Sequence, residues 1–210
     1  MKRRFFSFEG VEGSGKSTQL RLLAGHLERQ GLETVALREP GGVTISEAIR
    51  AILLDPAHKA MCTETELLLY AASRAQLIEE RISPALAQGQ VVLCDRYADS
   101  TTAYQGAGRG VDMAMIEQLH ELATGGLWPV RTFLLDLSVE EGLERARARG
   151  RADRIEQESI DFHRRVRDAY LALAHLHPER FVVLDAAQQV EALHAEVAAV
   201  ADEVLGLNGL

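Results

Sequence analysis

The sequence predicts an α/β fold in which a five-stranded parallel sheet is covered on both faces by helices, a three-layer sandwich. Three observations carry that expectation. Strand-like and helix-like periods alternate five times along the 210 residues. The strand-like runs are mostly continuous in apolar residues, as strands buried on both faces require. A glycine-rich loop stands between the first strand and the first helix, where parallel sheets place their ligand sites. No composition shift, repeat or linker interrupts the pattern, so one domain spanning 1–210 is expected.

Each element has its own signal. Residues 3–8 (RRFFSF) form the first strand, and a helix from about Lys16 to Gln30 sets Leu20, Leu23 and Leu27 on one stripe. Gly31 is placed to end that helix. ETVALR at 33–38 is the second strand, broken sharply by Arg38-Glu39-Pro40-Gly41-Gly42. Helices are expected at about 44–54 and 64–88, the latter interrupted by Pro84. VVLCD at 91–95 is the third strand, followed by a helix at about 112–123 that stops at Thr124-Gly125-Gly126. After the fourth strand, TFLLDL at 132–137, Ser138 and Glu141 have the spacing of a capping box opening a helix to about 148. A helix at about 157–174, the strand FVVLD at 181–185 and a helix at about 189–205 complete the chain.

Composition narrows the function. With 47% hydrophobic and 26% charged residues, the chain is neither disordered nor fibrous. A net charge of −8 disfavours a nucleic-acid polymer as partner. Arg145, Arg147, Arg149, Arg151 and Arg154 nevertheless crowd into ten residues, which suits a small anionic ligand. No apolar run reaches membrane-spanning length, and the apolar part of the N-terminus is too short for a signal peptide. Cys94 sits inside an apolar strand and Cys62 has no CxxC context, so a reducing cytoplasm is the expected compartment. The seven histidines show no metal-binding spacing, and Met113 and Met115 read as packing residues.

The firmest functional signal is Gly10-Val11-Glu12-Gly13-Ser14-Gly15-Lys16-Ser17, which fits GxxxxGK[ST], with Thr18 following. Glycines allow successive backbone N–H groups to turn toward phosphate oxygens at the positive end of the next helix. Lys16 supplies a point charge for the β- and γ-phosphates, and Ser17 can ligate Mg²⁺. A base-reading NKxD motif is missing, against a GTPase, and so is LSGGQ, against a transporter ATPase. A small-molecule kinase then needs a second site.

Asp95-Arg96-Tyr97 ends the third strand, at the crevice edge. Asp95 can hold Mg²⁺ through water or orient its neighbour, and Arg96 can bridge two phosphates during transfer. Arg38 begins a rigid Pro-Gly-Gly turn that suits close backbone approach to a ligand. Tyr70 and Arg74 share a helix face, suited to stacking on a base and bonding its carbonyl; by themselves they also read as a core tyrosine and a surface arginine.

EGxEGSGKST, REPGG, YxxxR, DRYxxSTxAYQG and the arginine-rich stretch together resemble the thymidylate kinase family, over essentially the whole chain. The resemblance implies a P-loop NTPase fold with a short arginine-rich lid at about 145–156, ATP as phosphoryl donor, Mg²⁺ as cofactor, dTMP as acceptor and a homodimer built on helices beside the substrate site. It implies that Glu12 contacts the sugar 3′-hydroxyl, that Arg38 and Arg96 hold the acceptor phosphate, and that Arg74 donates to thymine O4 while Tyr70 stacks on the ring. Thr101 falls where the family reads thymine N3, with Ser100 and Gln105 nearby, and Tyr104 lies against the sugar C2′. Two positions depart from the pattern. Tyr70 stands where Phe is commoner, and Ser14 stands where eukaryotic members carry a catalytic arginine, so the compensating charge falls to Arg149 or Arg151 in the lid. The family also implies a cis Glu39–Pro40 bond. Two rivals stay open, a kinase for another acceptor and a non-catalytic nucleotide-sensing module.

Overall fold

The computed structural model describes residues 4–148, 150 and 152–207. Five parallel strands form one sheet in the order β2-β3-β1-β4-β5: β1 (Phe5–Glu9), β2 (Thr34–Arg38), β3 (Val91–Asp95), β4 (Arg131–Asp136) and β5 (Phe181–Asp185). The register pairs Phe8 of β1 with Asp95 of β3 and Arg38 of β2 with the same Asp95. The carboxyl ends of three adjacent strands therefore meet at one edge, which is where the sequence places its phosphate-binding candidates.

Alternation along β1 divides the core. Phe6 and Phe8 pack toward Leu20, Leu23 and Leu27 of α1 (Lys16–Arg29) and Val197 of α9 (Val190–Leu205). Phe5 faces the opposite layer, with Leu77 of α3 (Thr63–Leu77) and Ile82. α8 (Ile160–Leu176) adds a third cluster around Phe162, Val166 and Tyr170. α2 (Thr44–Leu54) matches its expected bounds.

Four local expectations change. Pro84 does not interrupt one long helix; α3 passes through a π-helical turn at Ile78–Ile82 into α4 (Ser83–Ala87), with Pro84 in its first turn, where no N–H is needed. Residues 98–108, whose sequence shows no helical period, are helical: α5 (Ala98–Thr101) runs into π-helical turns over Thr102–Gly108. Met113 and Met115 of α6 (Met113–Thr124) are 44% and 48% exposed, with Met113 Sδ packed on Gly106, where an added Cβ would meet it at 3.0 Å. Half of the proposed capping box forms at α7 (Val139–Arg147): Ser138 Oγ accepts from Glu141 N–H at 3.3 Å, whereas the Glu141 carboxylate pairs with Arg145.

One close approach positions the site. A Cβ on Gly13 would come within 2.1 Å of the Gly142 carbonyl, and a Cβ on Gly142 within 2.4 Å of the Glu12 carbonyl. The phosphate loop thus lies directly on α7. Helix propensity alone favours alanine at position 142, so Gly142→Ala separates the two effects. We expect it to lose about 1–3 kcal/mol by overpacking, seen by circular dichroism as a Tm lower by several degrees.

Candidate active site

The phosphate loop adopts the conformation its glycines allow, with φ of 136° at Gly10, 73° at Gly13 and 93° at Gly15. Gly15 precedes α1 without any side-chain cap, leaving that helix end open to an anion. Lys16 is 7% exposed and folds back on the loop, donating from Nζ to Gly10 O (3.0 Å), Val11 O (2.7 Å) and Ser14 Oγ (3.2 Å). Burial, then Arg96 nearby, lower its pKa to about 8, opposed by Asp95, Glu12 and Glu9.

Arg96 is the one described non-glycine residue with positive φ, at 71°. That turn aims its guanidinium back over the loop. Nη1 donates to Gly10 O (3.0 Å), Tyr170 OH (3.2 Å) and Ser100 Oγ (3.3 Å); Nη2 donates to Tyr104 OH (2.9 Å) and Glu12 Oε1 (3.0 Å). Burial alone would raise Glu12, but Arg96, His163 and Lys16 outweigh it and hold the carboxyl well below the usual range.

A cleft of about 340 Å³ runs from Gly13, Gly15, Lys16, Ser17 and Thr18 to a second wall formed by Arg38, Tyr70, Arg74, Thr101, Tyr104 and Gln105. Arg74 is no surface arginine. It is 2% exposed, donating to Glu39 Oε2 (2.8 Å), Tyr97 O (3.1 Å) and Thr101 Oγ1 (3.0 Å), which leaves Nη1 without a partner among the described residues. Ser100 and Gln105 line the same cleft but are held by protein: Ser100 Oγ donates to Glu9 Oε2 at 2.6 Å and Gln105 Nε2 to Glu66 Oε1 at 2.8 Å. Arg38 is half-exposed and donates to both oxygens of Glu47. The Glu39–Pro40 bond is cis.

Several residues of the site were missed in the sequence. Glu39 orients Arg74, and Arg50, Asp153 and Glu156 also line the cleft. Glu66 gathers donors from Gln105, Arg109 and Arg154. Its position four residues before Tyr70 and eight before Arg74 puts it on their helix face, a signal that was available.

The arginine cluster divides by role. Arg154 is buried and anchored, its Nε to Leu53 O (2.7 Å) and its Nη1 to Glu66 Oε2 (2.6 Å), and Arg145 pairs with Glu141. Arg149 and Arg151 lie outside the described residues.

Ser17 Oγ donates to Asp95 Oδ2 at 2.5 Å at the cleft floor. One hydroxyl and one carboxylate, both hard oxygen donors, fit Mg²⁺, which takes few protein ligands and completes its shell with phosphates and water. No cluster of three or more His, Cys, Asp or Glu suited to a metal occurs among the described residues.

The family model for thymidylate kinase matches residues 8–197. The chain belongs to the thymidylate kinase family. A thymidylate kinase of Geotalea uraniireducens is 54% identical over 93% of this chain and 94% of its own, and one of Trichlorobacter lovleyi is 52% identical over 96% of each. The crystal structure of thymidylate kinase from Ehrlichia chaffeensis superposes with a TM-score of 0.74 at 35% identity, covering 93% of this chain and 97% of that one. The P-loop NTPase fold expected from the sequence stands with this match.

Beneath the family's phosphate loop, Glu9 is fully buried and accepts from Tyr97 N–H (2.7 Å), Ser100 Oγ (2.6 Å) and Tyr170 OH (2.8 Å). Burial, then neighbouring Asp99, push its carboxyl up to about 7 against the pull of Arg96. The folded protein therefore holds this proton more tightly than the unfolded chain. Glu9 contributes stability below its unfolded value of 4.5, and that contribution is lost as pH rises through about 7. The Tm of the wild type should fall across this window relative to Glu9→Gln, whose pH profile should be flatter; parallel Tm–pH curves would contradict the assignment.

Proposed function

We propose that the cleft performs in-line transfer of the ATP γ-phosphoryl group to the 5′-phosphate of dTMP, giving ADP and dTDP. The observation that carries this reading is the continuity of one cleft from Lys16 and Arg96 to the wall of Tyr70, Arg74 and Tyr104. Nucleotide phosphates would take Lys16 Nζ from the loop carbonyls. Arg96 would exchange Glu12 and Tyr104 for oxygens of the acceptor phosphate, joined by Arg38 on release from Glu47. Arg74, oriented by Glu39, would direct Nη1 to thymine O4 with Tyr70 stacked on the ring and Thr101 at N3. Tyr104 would crowd a ribose 2′-hydroxyl, and Glu12 would meet the sugar 3′-hydroxyl. Ser17 and Asp95 would hold Mg²⁺, which supplies charge neutralisation at the β- and γ-phosphates. The acceptor oxygen is already anionic, so no strong general base is required. Alignment and fixed positive charge do the work.

We assign residues of about 145–156 as the lid of a single domain, with Arg149 or Arg151 entering the site. Anchoring of Arg145 and Arg154 elsewhere supports that choice. A homodimer would use the outer face of α2, α3 and α6, which exposes Ile45, Ile52, Leu68, Met115 and Leu122. Free Cys62 and Cys94 accord with a reducing cytoplasm, and no helix among the described residues is long and apolar enough to cross a membrane.

Lys16→Ala and Arg96→Ala should each lower kcat by about 10²-fold or more while circular dichroism stays native. A coupled ADP-release assay across dTMP, dUMP, dCMP, dGMP and dAMP should give strong turnover on dTMP, weaker on dUMP and little elsewhere. Preference for another acceptor would leave the phosphate chemistry and remove the base assignments. Leu68→Glu should convert the dimer to monomer in light scattering after size exclusion; an unchanged mass would move the interface elsewhere.

A further inference from the structure

His163 on α8 is fully buried, and among the described residues neither ring nitrogen has a hydrogen-bond partner. A phenylalanine or leucine would fill that volume without stranding two polar atoms, so packing alone does not account for the imidazole. The stranding is matched on the other side. Glu12 Oε2 is also buried without a hydrogen-bond partner among the described residues, and it lies 3.4 Å from His163 Nδ1. The other carboxylate oxygen, Oε1, accepts from Tyr104 OH at 2.6 Å and from Arg96. A shift of a few tenths of an ångström would close the Nδ1···Oε2 gap to an ordinary hydrogen bond.

The surroundings hold the imidazole in place. Its neighbour Phe162 packs on Gly108, where an added Cβ would meet the ring at 2.6 Å. Arg165 donates to the carbonyls of Ala107 and Gly108, fixing this turn of α8 to the π-helical segment that carries Tyr104. His163 therefore sits on the same rigid unit as Tyr104, facing the carboxylate that both address.

We propose that His163 is a positioning residue for Glu12, donating from Nδ1 to Oε2 when Arg96 leaves Oε1 for the acceptor phosphate. When Arg96 goes, Glu12 keeps only the Tyr104 hydroxyl on Oε1, and one donor on one oxygen leaves the plane of the carboxylate free to turn about that bond. The histidine fixes that rotation and so presents Oε1 to the sugar 3′-hydroxyl. This rests on the reading of Glu12 as the sugar-contacting carboxylate.

The test compares His163→Phe with His163→Asn, whose amide nitrogen overlays imidazole Nδ1. His163→Phe should raise KM for dTMP by about 10- to 100-fold, the range for a hydrogen bond to a charged group, with KM for ATP little changed. Its discrimination between dTMP and 3′-deoxythymidine monophosphate should collapse, and His163→Asn should restore most of it. A structural role would not produce that rescue. In ¹⁵N-imidazole spectra of the wild type, His163 should carry its proton on Nδ1. A bare Nδ1, or wild-type discrimination retained in His163→Phe, would overturn the proposal. If the wild type itself fails to discriminate the 3′-deoxy analogue, the sugar role of Glu12 falls, and the proposal falls with it, even where the spectra show the pair.

Discussion

The site depends on the positive φ of a single arginine. At 71°, Arg96 reverses the direction that the end of β3 would otherwise give its side chain, at a conformational cost of about 1–3 kcal/mol. Five acceptors offset that cost. They come from the phosphate loop (Gly10, Glu12), the segment after β3 (Ser100, Tyr104) and α8 (Tyr170). Three stretches distant in sequence are thereby tied at the point where phosphate is expected, and Glu9 braces Ser100 and Tyr170 from below.

A second buried hub organises the opposite end of the cleft. Glu66 accepts from Gln105, Arg109 and Arg154, while Arg109 also reaches Glu158. This carboxylate connects α3, the π-helical turns and the segment between α7 and α8. Arginine at 154 is thus fixed by Leu53 and Glu66 and is not free to move toward the cleft. Charge crowding in the sequence does not separate these roles; burial does.

The layered architecture was legible because it rests on local patterns. β3, β5 and α2 coincide with their expected residues, since apolar runs bound the two strands and the Pro-Gly-Gly turn precedes the helix. The helical run over 98–108 was not legible, because its glycines and small polar residues carry no amphipathic period. What holds it are distant partners such as Glu66 and Arg165. The same division applies in the site. Residue types that meet phosphate announce themselves by spacing, whereas Arg74 looks like a surface residue until Glu39 is brought against it by the fold. His163 left no trace in the sequence, since its significance is a stranded nitrogen opposite a stranded oxygen.

Lys16 satisfies itself on its own loop through three acceptors. Nucleotide arrival then exchanges hydrogen bonds rather than adding them, so much of the enthalpy of phosphate contact is cancelled by the bonds given up. The same self-satisfaction gives the loop an internal template, since the lysine it is built to present also holds its backbone in shape.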